Sequence, residues 1–373
     1  MGDGVFALVV IASRAFTFGH AFLVRAAPVR KVSALAAANL LFMLSVFTLP
    51  AAAADTAPAA PDCRLKLYTS VDLEVADEVY VPVSIDGHNG LMSLNLGSAV
   101  GLLSKEAVAD MGLAIGAAPW RFLVGDKRIS RIGKFKSLVI GSLRFGLGGE
   151  LMIDPNDTTT RTLGSRPIFG SLGMAVFSVV DFELDLAHRK LNLFSQDHCP
   201  GNVVYWADSY AKAPLYSDAL RNVYLPIELE GKMVEATLSP SRPTTRLYVD
   251  VTRRLYGFDK KSRGVELGAD SDGSQTAHYR AMRFTAPGFA VTNSNILLED
   301  PVKDCQLSRG RKSGAASYSD SCLNVYPMAL GRNVLEQLRL YFATKEKVLY
   351  FTGANETSST AGAVPAAAPG AEP

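Results

Sequence analysis

Residues 79–113 read VYVPVSIDGHNGLMSLNLGSAVGLLSKEAVADMGL, and residues 223–258 read VYLPIELEGKMVEATLSPSRPTTRLYVDVTRRLYGF. In each stretch a Tyr stands two residues before a Pro, at Tyr80/Pro82 and Tyr224/Pro226. A turn glycine follows in each, Gly87 and Gly231, and then a polar residue, Asn95 and Ser239. The two tyrosines stand 144 residues apart, and so do Asn95 and Ser239. The register therefore holds without a gap, which marks an internal repeat.

The first copy has a local reading. Tyr80–Ile85 alternates apolar and polar residues, as a half-buried strand does. The run Asp86-Gly87-His88-Asn89-Gly90 turns the chain, and Leu91–Leu94 returns and delivers Asn95 to a polar loop. Ser104–Met111 has helical spacing, with Ser104 as N-cap. Further strands are expected at residues 65–75, 120–124, 131–140 and 143–145. The copy ends in IFGSLGMAVFSVVDFELDLAHRKLNLF, with a hairpin turning near His188-Arg189. The second ends in YPMALGRNVLEQLRLYFATKEKVLYF, where Gly331 matches Gly173 and Phe351 matches Phe194. Both the opening and closing blocks recur, so the chain is expected to be all-β.

Length and composition agree. The 373 residues suffice for two ordinary domains, and 48% apolar against 20% charged residues can build sizeable cores. A formal net charge of +2 argues against a dedicated nucleic-acid binder.

The N-terminal region reads as targeting. Residues 32–54, VSALAAANLLFMLSVFTLPAAAA, follow Arg30 and Lys31 and end in small residues, the pattern of a secretory signal peptide. The competing reading is a membrane anchor, which the short run broken by Pro50 disfavours. Arg14, His20 and Arg25 interrupt residues 1–28, and translation is expected to start near Val29. The expected division is a targeting segment at 1–54, a linker at 55–62, domains at 63–200 and 201–352, and a disordered tail at 353–373. A periplasmic or secreted location follows, with membrane attachment only if the signal stays uncleaved. Four cysteines fit an oxidising compartment. Of three possible pairings, Cys63–Cys199 and Cys305–Cys322 are expected, the first clasping the ends of the first repeat and the second closing a Ser/Gly-rich loop. Their spacing does not suit a zinc site, and neither metal nor cofactor is expected.

The strand, loop, helix and late Ser171-Leu172-Gly173-Met174 segment resemble those of retropepsin-like aspartic peptidases. The chain is similar to the bacterial exported members with two such domains in tandem. The resemblance spans about Tyr80–Phe194 and Tyr224–Phe351. It implies two closed-barrel lobes packed as a pepsin-like pseudo-dimer with a cleft between them. Laid on the family's Leu-Asp-Thr-Gly-Ala-Ser loop, the sequence puts Asn95 at the catalytic Asp, with Gly97 and Ser98 following. In the second copy Ser239 stands at the Asp and Ser241 at the Gly. No Asp-Thr-Gly or Asp-Ser-Gly occurs elsewhere; the nearest run is Asp270-Ser271-Asp272-Gly273.

The reaction needs two carboxylates that share a proton, one ionised to activate water and one protonated to donate to the carbonyl. An amide at 95 does not titrate near neutral pH. A Ser at 239 needs its own base, and the histidines, His88, His188, His198 and His278 among them, read as exposed turn or loop residues. The leading expectation is an inactive homologue that holds a peptide or an envelope protein or polymer, with Asn95, Gly97, Ser98, Ser239 and Ser241 at the binding loops. An active hydrolase with displaced catalytic residues, and an interaction module with a closed cleft, are the alternatives. Two other stretches draw notice. Lys127–Lys136, KRISRIGKFK, reads as a solvated strand face, which the resemblance would place at or near the flap hairpin over the cleft, with contact to an anionic envelope partner as the alternative. Asp181, Glu183 and Asp185 alternate with Phe182, Leu184 and Leu186, which reads as a strand with a solvated acidic face.

Overall fold

The computed structural model describes residues 63–356, except 125–126, 146–147, 158–160, 219–220, 270–274, 282–283, 287–288, 292–293, 301–306, 311 and 319–324. The chain divides into two compact units, Met1–Ala59 and Ala60–Pro373, and all described residues lie in the second. The Cys305–Cys322 pair and the Asp270–Gly273 run fall outside the described residues.

The fold is all-β and two-lobed, with three short α-helices among the described residues. Its opening hairpins follow from local chemistry. Val79–Ile85 and His88–Asn95 pair antiparallel around Asp86 and Gly87, both at positive φ, 48° and 88°. Two successive positive-φ residues make the tight hairpin turn whose twist suits strands, and Gly takes the second position without a Cβ penalty. Val223–Leu229 and Lys232–Leu238 repeat this around Glu230 (46°) and Gly231 (77°). The helix Lys105–Asp110 starts where expected, because Ser104 Oγ accepts the Ala107 N–H at 3.0 Å.

Each lobe is built on one large sheet, and the two have corresponding strand orders. In the first, the order is Ala114–Val124, Lys127–Phe135, Gly149–Ile153, Leu102–Leu103, Arg166–Gly173, His88–Asn95, Val79–Ile85, Leu138–Ile140 and Leu143–Phe145. In the second it is Val265–Ala269, Gln275–Ala281, Ser294–Glu299, Thr245–Tyr248, Met328–Leu330, Lys232–Leu238, Val223–Leu229, Phe284–Ala286 and Phe289–Val291. In both, the strand that ends at the polar loop runs parallel to the strand that leads into the late glycine: His88–Asn95 beside Arg166–Gly173, and Lys232–Leu238 beside Met328–Leu330, which ends one residue before Gly331.

A third sheet of six strands joins the lobes. Its order is Leu67–Asp72, Lys190–Phe194, Asp181–Asp185, Leu338–Ala343, Val348–Gly353 and Ala211–Pro214. At its centre Asp181–Asp185 pairs antiparallel with Leu338–Ala343, and Phe182 stacks on Phe342 with ring centroids 4.2 Å apart. Such a buried aromatic pair contributes about 1 kcal/mol beyond its area. One apolar core runs from Val71 to Phe351 through both lobes and one face of this sheet.

The other face of the joining sheet corrects two expectations. Asp181, Glu183 and Asp185 are buried, not solvated. The alternation is real, but the segment after Phe194 folds back over the polar face, with Val203, Trp206 and Ala207 packing on Phe194, Tyr341 and Tyr350. The carboxylates are satisfied there. Glu183 accepts from Arg339 Nε at 2.7 Å, from the Tyr205 hydroxyl at 2.6 Å and from Asn192 Nδ2 at 3.2 Å. Burial pushes the Glu183 carboxyl up, while Arg339 and Tyr205 hold it down. Asp181 accepts from the Thr344 N–H, the Thr344 hydroxyl and His198 Nε2. His198 is therefore a core residue, its side chain 2% exposed, and not a loop histidine in water. His188 and His88 do sit exposed at or beside their turns.

The expected Cys63–Cys199 disulfide is present. Among the described residues, no helix is long and apolar enough to cross a membrane.

Candidate functional site at the paired strand ends

Asn95 is the last residue of its strand and pairs with Gly173 of the neighbouring parallel strand. Ser239 follows directly on Leu238, and its N–H donates to Leu330 O at 2.8 Å. Both loops therefore leave their sheets beside the strand that leads into the late glycine, at equivalent points. Each loop is then pinned by the segment after that glycine. Met174 N–H donates to Ser98 O and Ala175 N–H to Ala99 O, at 2.8 and 3.0 Å. In the second lobe Arg332 N–H donates to Arg242 O and Asn333 N–H to Pro243 O, at 2.8 and 3.1 Å. Ser98 and Arg242 are again 144 residues apart, as are Ala99 and Pro243. The glycines are required by close approach. A Cβ on Gly173 would lie 2.4 Å from Val100 C, and one on Gly331 would lie 2.4 Å from Thr244 C.

The two loops meet across the lobes. Ser241 Oγ donates to Leu94 O at 2.9 Å. Gly97 lies against the second lobe, since a Cβ there would stand 3.4 Å from Thr237 Oγ1 and 3.5 Å from Leu238 O. Two further side chains of the second lobe tie the same region. Asn222 Oδ1 accepts the Ala99 N–H at 2.8 Å, and Arg332 donates to Ala76 O at 2.9 Å and to Asp77 O at 3.2 Å. The tie through a loop hydroxyl is one-sided: position 97, equivalent to Ser241, is a glycine with no side chain to donate. Ser98 instead bonds within its own loop, accepting from Val100 N–H at 3.1 Å.

Asn95 and Ser239 are both half-buried, at the ends of their strands. Neither side chain has a hydrogen-bond partner among the described residues. The carboxylates around the loops are engaged elsewhere. Asp218 accepts from Asn222 Nδ2 at 2.7 Å and from the Tyr326 hydroxyl at 2.9 Å. Asp77 accepts from the Tyr80 hydroxyl at 2.8 Å and pairs with Arg161 at 3.3 Å, contacts that hold its carboxyl below the usual range. Glu235, four residues before Ser239, is buried and accepts from the hydroxyls of Ser313 and Ser317; burial pushes its carboxyl up. The loop arrangement can hold a ligand by backbone groups, an amide and hydroxyls. Among the described residues it presents no shared-proton carboxylate pair.

Asn222, Arg332 and Asp77 belong to this region and carry no motif. Only the residues' places beside the repeat boundaries, Asn222 just before Val223 and Arg332 just after Gly331, point to them in the sequence. The basic stretch 127–136 lies on the hairpin formed by Ala114–Val124 and Lys127–Phe135. Its Arg131, Lys134 and Lys136 are exposed, and Lys134 pairs with Glu150 at 3.4 Å.

No family model and no curated protein matches the sequence. Among solved structures, the chain is similar to an aspartic proteinase from Irpex lacteus, at 13% identity and a TM-score of 0.47 over 79% of this chain and 99% of that one. It is also similar to conglutin gamma, a basic 7S globulin from lupine seeds, at 12% identity and a TM-score of 0.42 over 79% and 96% of the two chains. The basic 7S globulin from soybean aligns at 9% identity and a TM-score of 0.43 over 78% and 96%.

Proposed function

We propose that this chain is an exported aspartic-peptidase homologue without peptidase activity, which binds an extended peptide or an envelope partner between its lobes. One observation carries the reading: two equivalent strand-end loops meet across the lobes, and they hold Asn95 and Ser239, the residues that the resemblance lays on the family's acids. An amide and a hydroxyl there donate and accept hydrogen bonds but cannot share a proton between carboxylates. Binding survives that loss, because an extended peptide is held by backbone hydrogen bonds and side-chain pockets. The Cys63–Cys199 disulfide supports a location outside the reducing cytosol.

The test is to restore the acids. The double variant Asn95→Asp/Ser239→Asp should cleave peptides at acid pH, while the natural chain binds the same peptides uncut. If the double variant folds but neither binds nor cleaves any peptide of a diverse mixture, the lobes do not hold peptides and the reading fails.

A further inference from the structure

A second place in the molecule gathers charge of one sign. At one end of the joining sheet a pocket of about 470 Å³ is lined by Arg64, Lys66 and Lys345, with Asp197 as the one carboxylate in its wall. None of these residues belongs to the strand-end loops. Lys66 and Lys345 are exposed and form no ion pair among the described residues; Lys66 lies over the Tyr68 ring, 5.6 Å from its centroid.

The pocket is built from three segments that the fold fixes. Residues 64–68 lead into the outer strand Leu67–Asp72, and Ser195 N–H donates to Lys66 O at 2.9 Å. The Cys63–Cys199 disulfide clamps the far end of that wall, and Asn202 Nδ2 adds a bond to Cys63 O at 3.2 Å. The floor is residues 195–199. Asp197 N–H donates to Ser195 Oγ at 3.0 Å, and Gln196 Nε2 donates to Thr344 Oγ1 at 2.6 Å. That last bond brings in the turn that carries Lys345, from the second half of the chain. The floor is anchored beneath by His198, whose Nε2 reaches the buried Asp181 at 2.6 Å. The cations are therefore presented by segments tied to one another, and they are drawn from both halves of the chain.

We propose that this pocket binds a phosphate-class dianion, a phosphate monoester of a small molecule or of a lipid headgroup. Two of its cations, Lys66 and Lys345, are exposed and form no ion pair among the described residues, a positive charge that a dianion neutralises. Lysine ammonium groups bind phosphate as point charges. The hydroxyls of Ser195 and Tyr68 line the same space and supply donors for the remaining oxygens.

The experiment uses the full chain in phosphate-free, low-salt buffer. Inorganic phosphate is titrated by calorimetry, and flotation is measured with phosphatidylcholine vesicles with and without phosphatidic acid. Saturable phosphate binding is expected, weakened about tenfold in Lys66→Met/Lys345→Met by the loss of two charge-assisted contacts. It should be retained in Lys66→Arg/Lys345→Arg and in Lys232→Met, an exposed lysine of another sheet. Flotation with phosphatidic acid that free phosphate competes away assigns the headgroup; phosphate binding without flotation assigns a soluble phosphate. Absence of saturable binding, or equal affinity in the Lys→Met double variant, overturns the proposal.

Discussion

At the scale of single residues, side chains that a motif does not mark hold the molecule together. Arg339 is the plainest case. It donates to the buried Glu183 and lies over the Trp206 ring, 4.5 Å from its centroid. Removing it strands a carboxylate in the core. Arg339→Met should cost about 3–5 kcal/mol, read by denaturant unfolding, and adding Glu183→Gln should recover part of it. Ser241→Ala, which removes one hydrogen bond between the lobes, should cost only about 1 kcal/mol. His198 gives a pH signature. Its hydrogen bond to Asp181 raises its pKa above the ordinary 6.5, against the opposing effect of burial. A raised pKa means the folded state holds the proton more tightly. The stabilisation is complete below about pH 6.5 and is lost as pH rises through the higher folded value. Melting temperature should therefore fall as pH rises above about 6.5, and the slope should flatten in His198→Gln.

At the scale of elements, the repeat is what the sequence makes legible. The interval of 144 residues sets Asn95 against Ser239, and the same interval relates the hairpin turns at Asp86-Gly87 and Glu230-Gly231 and the outer strands that begin at Leu67 and Ala211. Turn glycines and tyrosine-proline pairs survive as sequence signals because backbone geometry allows few substitutes. Burial is harder to read. The alternation at 181–186 correctly separates two faces of a strand, but period alone does not say what covers the polar one. Here the cover is the later segment that carries His198, Tyr205 and Trp206. The late glycines give the element-scale expectation. Gly173→Ala and Gly331→Ala each press a methyl against backbone, which no rotamer change relieves, so each should cost about 1–3 kcal/mol or more in thermal unfolding. The disulfide closes a span of 136 residues. Cys63→Ser/Cys199→Ser should lose about 5 kcal/mol on the chain-entropy account.

At the scale of the whole molecule, two lobes share one sheet and one core, and their strand-end loops meet through Ser241 and the Leu94 carbonyl. The positions of Asn95 and Ser239 were legible from the repeat and the family's loop. The ties around them were not: Ser241 was legible as a loop residue but its bond to Leu94 O was not, and Asn222 and Arg332 act through long-range contacts to backbone groups that leave no local pattern. The pocket at Lys66 and Lys345 was hidden for the same reason: its cations stand far apart in the chain and converge only when the joining sheet forms.

The most direct test of the central claim is a cleavage assay. The natural chain is incubated with a diverse peptide mixture from about pH 3 to 8, a range that spans the titration of a paired-acid site, and new termini are read by mass spectrometry, with Asn95→Ala alongside. No new termini at any pH is the expected result. Cleavage by the natural chain that Asn95→Ala abolishes would contradict the account and show that this loop performs chemistry without the paired acids.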